Sequence, residues 1–181
     1  MGWWWTQVRY LSPLAREPPC RVITQSTVSG MEVERKFLVS DPPDLDATES
    51  DEIEQGYLAI GADGEVRLRR KGERHLLTAK RGSGLSRDEG EVELDREAFE
   101  RLWPLTEGRR LHKRRHVVPL GDLKVELDVY EGDLEGLLVA EIEFGSEEEA
   151  RRFEPPEWIG EEVTGDQRYL NETLAAEGPP S

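Results

Sequence analysis

MEVERKFLV, the stretch from Met31 to Val39, carries charged side chains at alternate positions, namely Glu32, Glu34 and Lys36. Successive side chains of a β-strand point to opposite faces, so these three would share one face of a strand. The residues between them form an apolar face that only Arg35 interrupts. The stretch therefore predicts a strand with one face for packing and one face reserved for charge.

Later stretches of the chain alternate in the same way. They are Glu65 to Arg70, His75 to Arg81, Glu91 to Asp95, Lys124 to Tyr130 and Leu138 to Phe144. Glycine, proline and aspartate separate these runs at a spacing typical of antiparallel strands. Helix-capping signals at Asp95, Ser146 and Thr164 predict three short helices. The sequence thus predicts an α+β fold that is mainly β, with helices covering part of the apolar face of a sheet.

The charges on these runs are segregated by sign. The basic pairs are Arg67 with Arg69 and Lys113 with Arg115, and the acidic pairs are Glu126 with Asp128 and Glu141 with Glu143. Like charges on one strand face repel each other, so acidic pairs indicate a divalent cation and basic pairs a polyanion. A barrel with its charged faces inward would bring both sets around a phosphate chain bound with Mg²⁺ or Mn²⁺. The alternative is the ordinary solvent side of a sheet.

Composition limits the classes of function. The chain has 181 residues, enough for one domain, and a formal net charge of -15, which disfavours binding to nucleic acid or to an anionic membrane. No apolar stretch approaches the roughly 20 residues of a membrane span. A single cysteine, Cys20, predicts a cytoplasmic protein, and no obligate protein partner is evident. We expect residues 1–30 to be a disordered extension or a misplaced start, 31–176 the domain, and 177–181 a frayed tail.

The ordered motifs of the chain resemble the CYTH superfamily, also called triphosphate tunnel metalloenzymes, in its short bacterial tripolyphosphatase-like form. Glu32 to Lys36 fits the ExExK signature. The other matching stretches are QGYL from Gln55, RLR from Arg67, LTAK ending at Lys80, GLSR ending at Arg87, LWPLTEGRR from Leu102, Lys113 with Arg115, VELDVYEG from Val125, VAEIEF from Val139 and GEEVTGDQRYLN from Gly160. The resemblance implies an eight-stranded antiparallel β-barrel tunnel, with a charged interior and helices packed outside.

The resemblance also implies roles for individual residues. The implied phosphate ligands are Lys36, Arg67, Arg69, Lys80, Arg87, Lys113 and Arg115. The implied ligands of two Mg²⁺ or Mn²⁺ ions are Glu32, Glu34, Asp128, Glu141 and Glu143, with Glu126 and Glu91 as further candidates. Lys36, Tyr57 and Glu143 are the implied catalytic residues, and Lys36 with Tyr57 would orient the substrate. In the last helix, Arg168 is the nearest cation, where relatives often have lysines.

The function that this resemblance implies is metal-dependent hydrolysis of a small molecule, inorganic tripolyphosphate, to diphosphate and phosphate. A metal-activated water would attack a terminal phosphorus in line, with no covalent nucleophile. One alternative keeps the fold and changes the reaction, to a nucleoside or thiamine triphosphatase or a class IV-type adenylate cyclase. A further alternative is a module that binds polyphosphate without catalysis.

Overall fold

A computed structural model describes residues 20–21, 33–81 and 88–180, which form one antiparallel sheet and three short α-helices. The strands are β1 (Cys20–Arg21), β2 (Val33–Val39), β3 (Glu49–Gly61), β4 (Gly64–Lys71), β5 (Arg74–Arg81), β6 (Asp88–Leu94), β7 (Arg110–Leu120), β8 (Leu123–Glu131), β9 (Leu138–Phe144) and β10 (Ile159–Glu162). The helices are α1 (Arg96–Leu102), α2 (Glu147–Arg152) and α3 (Asn171–Glu177). The predicted fold class, mainly β with an antiparallel sheet, is confirmed. Within the described residues, no helix has the length and apolar character needed to cross a membrane.

The strands follow the order β1-β6-β5-β4-β3-β7-β8-β9-β2-β10. Although β2 and β5 are far apart in this order, Lys36 of β2 and Lys80 of β5 line the same cavity. The sheet therefore curls, and its charged face is the inner one. Backbone pairing among the described residues does not join the two edges, so closure of the barrel stays a prediction.

The outer face of β2, β8 and β9 forms the main apolar core. Its buried side chains include Phe37, Leu127 and Ile142, and Ala150 of α2 packs on them. Burial of each large side chain of this kind contributes about 1.5–3 kcal/mol to folding. The strand periodicity therefore predicted this core correctly.

Arg35, the charged residue on the apolar face of β2, closes the end of α2. Its guanidinium donates hydrogen bonds to the backbone carbonyls of Ala150, at 2.8 Å, and Phe153, at 3.0 Å. It also pairs with Glu162 of β10 at 2.6 Å. Carbonyl groups at a helix end lack partners within the helix, so Arg35 satisfies two groups that would otherwise need water.

Two of the three predicted helix caps are confirmed. Asp95 accepts a hydrogen bond from the backbone N–H of Ala98 at 2.7 Å, and the hydroxyl of Ser146 caps α2 in the same way. The third prediction was wrong, because the hydroxyl of Thr164 accepts from the backbone N–H of Lys36 at 2.9 Å instead. The cap position there belongs to Asp166, which begins a 3-10 turn before α3.

The helix α3 differs from the expectation that all helices lie outside the sheet. Its Leu174 and Ala175 pack against side chains of the inner face, among them Tyr57, Tyr130 and Val139. These inner-face residues are apolar or aromatic, whereas those farther along the same strands are charged. The helix therefore covers one end of the inner face and leaves the charged part for a ligand.

Candidate active site

A cavity of about 570 Å³ lies between the curled sheet and the segment that leads into α3. Strand β2 contributes Glu34 and Lys36, and strands β4 and β5 contribute Glu65 and Lys80. The other wall includes residues 163–167 and Glu172 of α3. Its volume lies within the range of about 300–1,000 Å³ that is usual for small-molecule sites.

Lys36 and Glu141 form an ion pair across β2 and β9. The two residues are directly opposite in the strand register, and the distance from Nζ to Oε1 is 2.8 Å. Burial would raise the pKa of Glu141, but the nearby charges of Lys36 and Arg115 lower this pKa to about 2. Burial likewise disfavours the charged form of Lys36, but Glu141 outweighs it and raises the pKa of the amine. Both groups are therefore charged at neutral pH.

Arg115 is held by three carboxylates. Its guanidinium bonds to both oxygens of Asp128, at 2.6 and 2.7 Å, to Glu141 at 2.6 Å, and to Glu126. Burial opposes the charge on Arg115, but its bonds to Asp128 outweigh burial and raise the pKa. The predicted phosphate ligand thus has its donors directed at carboxylates.

Lys113 is fully buried beside Asp128. Its amine donates to Asp128 at 2.5 Å and to the side-chain oxygen of Asn171 at 3.3 Å, and it lies 5.2 Å from the ring centre of Tyr130. Burial lowers the pKa of Lys113 to about 8 in spite of the Asp128 charge. Tyr130 also donates to Asn171, at 2.8 Å. Asn171, which the sequence placed only within a motif, joins α3 to the basic part of the site.

Glu34 and Glu143 are directly opposite each other on β2 and β9. Burial raises the pKa of Glu34, and the neighbouring carboxylates of Glu141 and Glu143 raise it further. A divalent cation would neutralise this repulsion, and carboxylate oxygens are the ligands that Mg²⁺ and Mn²⁺ prefer. The chemistry of these donors therefore fits a divalent cation.

The predicted metal set is not assembled as a cage. Across residues 33–81 and 88–180, no three acidic or histidine side chains converge closely enough to hold a metal ion. Both oxygens of Asp128 accept hydrogen bonds from Lys113 and Arg115, and Glu32 lies outside the described residues. Glu34, Glu141 and Glu143 remain the candidate ligands by the chemistry of their donors, and in this arrangement they do not converge on one point.

Arg67 and Arg69 lie side by side on the inner face of β4. Only 7% of Arg67 is exposed, and its Nε is the one buried side-chain polar atom in the described part of the chain that has no hydrogen-bond partner. Burial and then the positive charges of Arg67 and Arg115 lower the pKa of Arg69 to about 10. Arg67 also lies 3.7 Å from Glu65, which lines the cavity, so its free Nε is a buried cationic donor beside the cavity and is suited to an anion.

Gln55, which the sequence analysis did not assign a role, connects two predicted site residues. It is fully buried, donates to the hydroxyl oxygen of Tyr57 at 2.5 Å, and accepts from Nε of Arg69 at 3.0 Å. Burial, followed by the charge of Glu65, raises the pKa of Tyr57, so the phenol stays neutral. Gln55 lies two positions before Tyr57 on β3 and therefore on the same face, and this spacing was the sequence signal that could have identified Gln55.

Glu65 and Glu172 form a second pair that the sequence did not reveal. Both carboxyl groups line the cavity, and they lie close together there. Burial raises the pKa of Glu65, and the charge of Glu172 raises it further. The pair connects β4 to α3 at the wall of the cavity.

The remaining predicted residues are at the margin of the site. Lys80 pairs with Glu89 at 3.2 Å while lining the cavity, and Glu91 accepts from Thr78 at 3.1 Å. Arg168 is held by Asp166 at 2.6 Å. Arg87 lies outside the described residues.

The curled antiparallel sheet and its lining of paired acids and bases define a class of β protein with a charged cavity suited to an anion. The CYTH domain family matches residues 30–173, and the chain belongs to this family. An inorganic triphosphatase of Nitrosomonas europaea is 47% identical over 150 residues, which are 82% of this chain and 99% of the relative. An inorganic triphosphatase of Acetivibrio thermocellus is 40% identical over 80% of this chain and 93% of the relative.

A solved structure is similar over the same extent. The crystal structure of an inorganic triphosphatase has a TM-score of 0.69 and 44% identity, and the match covers 82% of this chain and 97% of that chain. The predicted family is therefore confirmed by both the sequence and the fold.

Proposed function

We propose that the protein hydrolyses inorganic tripolyphosphate to diphosphate and phosphate in the cavity of the curled sheet. The observation that carries this proposal is the unpaired Nε of Arg67, a buried cationic donor. An unpaired buried donor costs about 1–3 kcal/mol, which a phosphate oxygen would offset. The names of the two curated relatives, which cover most of this chain, support inorganic triphosphate as the substrate.

The cavity lining favours an inorganic chain over a nucleotide. Among the described lining residues there is no aromatic side chain on which a base could stack. The polar lining includes the amines of Lys36 and Lys80, which suit phosphate oxygens. This distribution supports tripolyphosphate over ATP or thiamine triphosphate.

The side chains of this protein would bind the phosphate chain and stabilise its charge. We expect Arg67 and Arg69 to donate to phosphate oxygens, where negative charge is spread during in-line displacement. We expect Lys36 and Tyr57 to orient the chain. Glu34, Glu141 and Glu143, together with Glu32, would hold Mg²⁺ or Mn²⁺, which neutralises phosphate charge and lowers the pKa of a bound water.

A substrate panel tests this proposal. Purified protein is given tripolyphosphate, ATP or thiamine triphosphate, with Mg²⁺, with Mn²⁺ or with EDTA, and the products are resolved by ion chromatography. We expect equal amounts of phosphate and diphosphate from tripolyphosphate, only with metal, and slower reaction of the other two. Faster turnover of a nucleotide, formation of cyclic AMP, or binding without turnover would overturn the proposal.

The domain bounds are tested by the same panel. We propose that residues 31–176 carry the activity, which is supported by the family match over residues 30–173. Protein beginning at Met31 should therefore have the kcat and KM of the full chain. A large loss of activity would assign a role to residues 1–30.

A further inference from the structure

Gln55 lies on the inner face of β3 between two residues of the site. Tyr57 is two positions along the same strand, and Arg69 is directly opposite Gln55 on β4. The guanidinium of Arg69 has no acceptor atom, so the group facing its Nε, 3.0 Å away, must be the amide oxygen of Gln55. The amide nitrogen must then face Tyr57. Arg69 therefore fixes which way the Gln55 amide points.

The orientation of the Gln55 amide determines whether the Tyr57 hydroxyl accepts or donates in the hydrogen bond between them. Because the amide nitrogen of Gln55 is a donor, the phenol oxygen of Tyr57 accepts at 2.5 Å and keeps its own proton for another acceptor. No side chain in the described part of the chain accepts that proton. The charged neighbours of the phenol are Glu65, Arg67, Glu172 and Arg69, and the buried Nε of Arg67 also has no partner. Two donors near each other are thus without acceptors.

We propose that Gln55 is a positioning residue that makes Tyr57 a hydrogen-bond donor to the phosphate chain and holds Arg69 beside it. This inference rests on the proposed function and adds to it, because it assigns the polarity of one contact. A neutral donor suits a fully ionised phosphate oxygen, and Gln55 prevents Tyr57 from donating its hydrogen bond to another group of the protein. The residue acts through Tyr57 and Arg69 and needs no contact with the substrate.

The variant Gln55→Glu reverses the hydrogen bond with almost no change of shape. A carboxylate at position 55 would still accept from Arg69 but would also accept the proton of Tyr57. We expect the dissociation constant for tripolyphosphate, measured by calorimetry in EDTA, to rise about tenfold or more. With Mg²⁺, kcat/KM should fall by a similar factor.

A double-mutant cycle separates the lost donor from the added charge. In the Tyr57→Phe background there is no phenol proton to lose. The rise in the dissociation constant that Gln55→Glu causes should therefore be at least about fivefold smaller there than in the wild-type background. Gln167→Glu places the same charge at the wall of the cavity, outside the Gln55 contacts, and measures repulsion alone. Equal effects of Gln55→Glu in both backgrounds would overturn the proposal. Thermal unfolding of each variant checks that the fold is intact.

The failure of this inference is distinguishable from failure of the proposed function. If the wild type binds tripolyphosphate without hydrolysing it, the proposed function fails, and the cycle of dissociation constants still decides the role of Gln55. If the wild type neither binds nor hydrolyses tripolyphosphate, both are overturned. If it hydrolyses tripolyphosphate and the cycle shows no coupling, only the role of Gln55 is overturned.

Discussion

Lys36 lies directly opposite Glu141, with 2.8 Å between its Nζ and the Oε1 of that carboxylate. Sequence motifs assign the lysine to phosphate and the glutamate to metal. In the structure the two groups neutralise each other, and little of either side chain is exposed. A phosphate chain and a cation that enter together would each replace one partner of this pair, so neither charge would be left buried alone. The pair therefore couples the two proposed ligands.

The variant Glu141→Gln tests this coupling. It removes the carboxylate partner of Lys36, which frees the amine for phosphate, and one of the three carboxylates that hold Arg115. In EDTA we expect tripolyphosphate to bind about tenfold more tightly, since a buried ion pair no longer has to be broken. With Mg²⁺ we expect turnover to fall by about 100-fold or more, because a proposed metal ligand is lost. Calorimetry and phosphate release measure the two effects.

Glu131→Gln is the matched control for that variant. Glu131 is on β8 and contacts His112 and Arg114, away from the cavity. Glu131→Gln removes one negative charge, as Glu141→Gln does, so the effects of Glu131→Gln on affinity and turnover should be less than about twofold. Weaker binding by Glu141→Gln, or normal turnover, would contradict the proposed roles of the Lys36 pair.

Arg67→Ala is expected to weaken tripolyphosphate binding by about 10- to 100-fold, the usual cost of losing hydrogen bonds to a charged group. Its Nε has no partner in the described part of the chain, so a ligand oxygen is its expected acceptor. Arg70→Ala is the control from the outer face of the same strand, where Arg70 pairs with Glu54 and Glu100. KM should rise for Arg67→Ala and stay near the wild-type value for Arg70→Ala. A similar KM for both variants would show that Arg67 does not bind the substrate.

The alternation of side chains was sufficient to predict the sheet. A period of two places Phe37 and Ile142 on the packed face and Lys36 and Glu141 on the charged face, and the structure has this arrangement. Position along the chain does not predict which strands are neighbours. The pairing of β2 with β9 joins residues about a hundred positions apart, and no local pattern specifies it.

The partners of the charged residues could not be predicted. Segregation by sign indicated that acids and bases converge, and the family resemblance assigned Asp128 to metal, whereas in the structure both oxygens of Asp128 accept hydrogen bonds from Lys113 and Arg115. Neutral members of the site were missed for a related reason. Gln55 and Asn171 carry no charge, and only their hydrogen bonds to site residues reveal their part in it.

Glu172→Gln is expected to stabilise the fold at neutral pH. Burial, and then the charge of Glu172, raise the pKa of Glu65, so the folded protein loses stability as the pH rises above the ordinary glutamate value of 4.5. An amide at position 172 removes the repulsion and can donate to Glu65. The free energy of unfolding in urea should therefore exceed that of the wild type at pH 7.5, with a smaller difference near pH 4.5. A stability loss at pH 7.5 would contradict this account.

The ion pair of Arg35 and Glu162 predicts a stability change in acid. The hydrogen bond from Arg35 is the main cause that lowers the pKa of Glu162 in the folded protein. Its stabilisation is therefore present above the ordinary value of 4.5 and is lost as the pH falls through the lower folded pKa. Because Glu162 is 41% exposed, we expect Glu162→Gln to cost at most about 1 kcal/mol at pH 7 and almost nothing near pH 3. Urea unfolding at both pH values measures this, with Glu161→Gln on the same strand as the control, and a cost that stays constant with pH would contradict the ionic contribution.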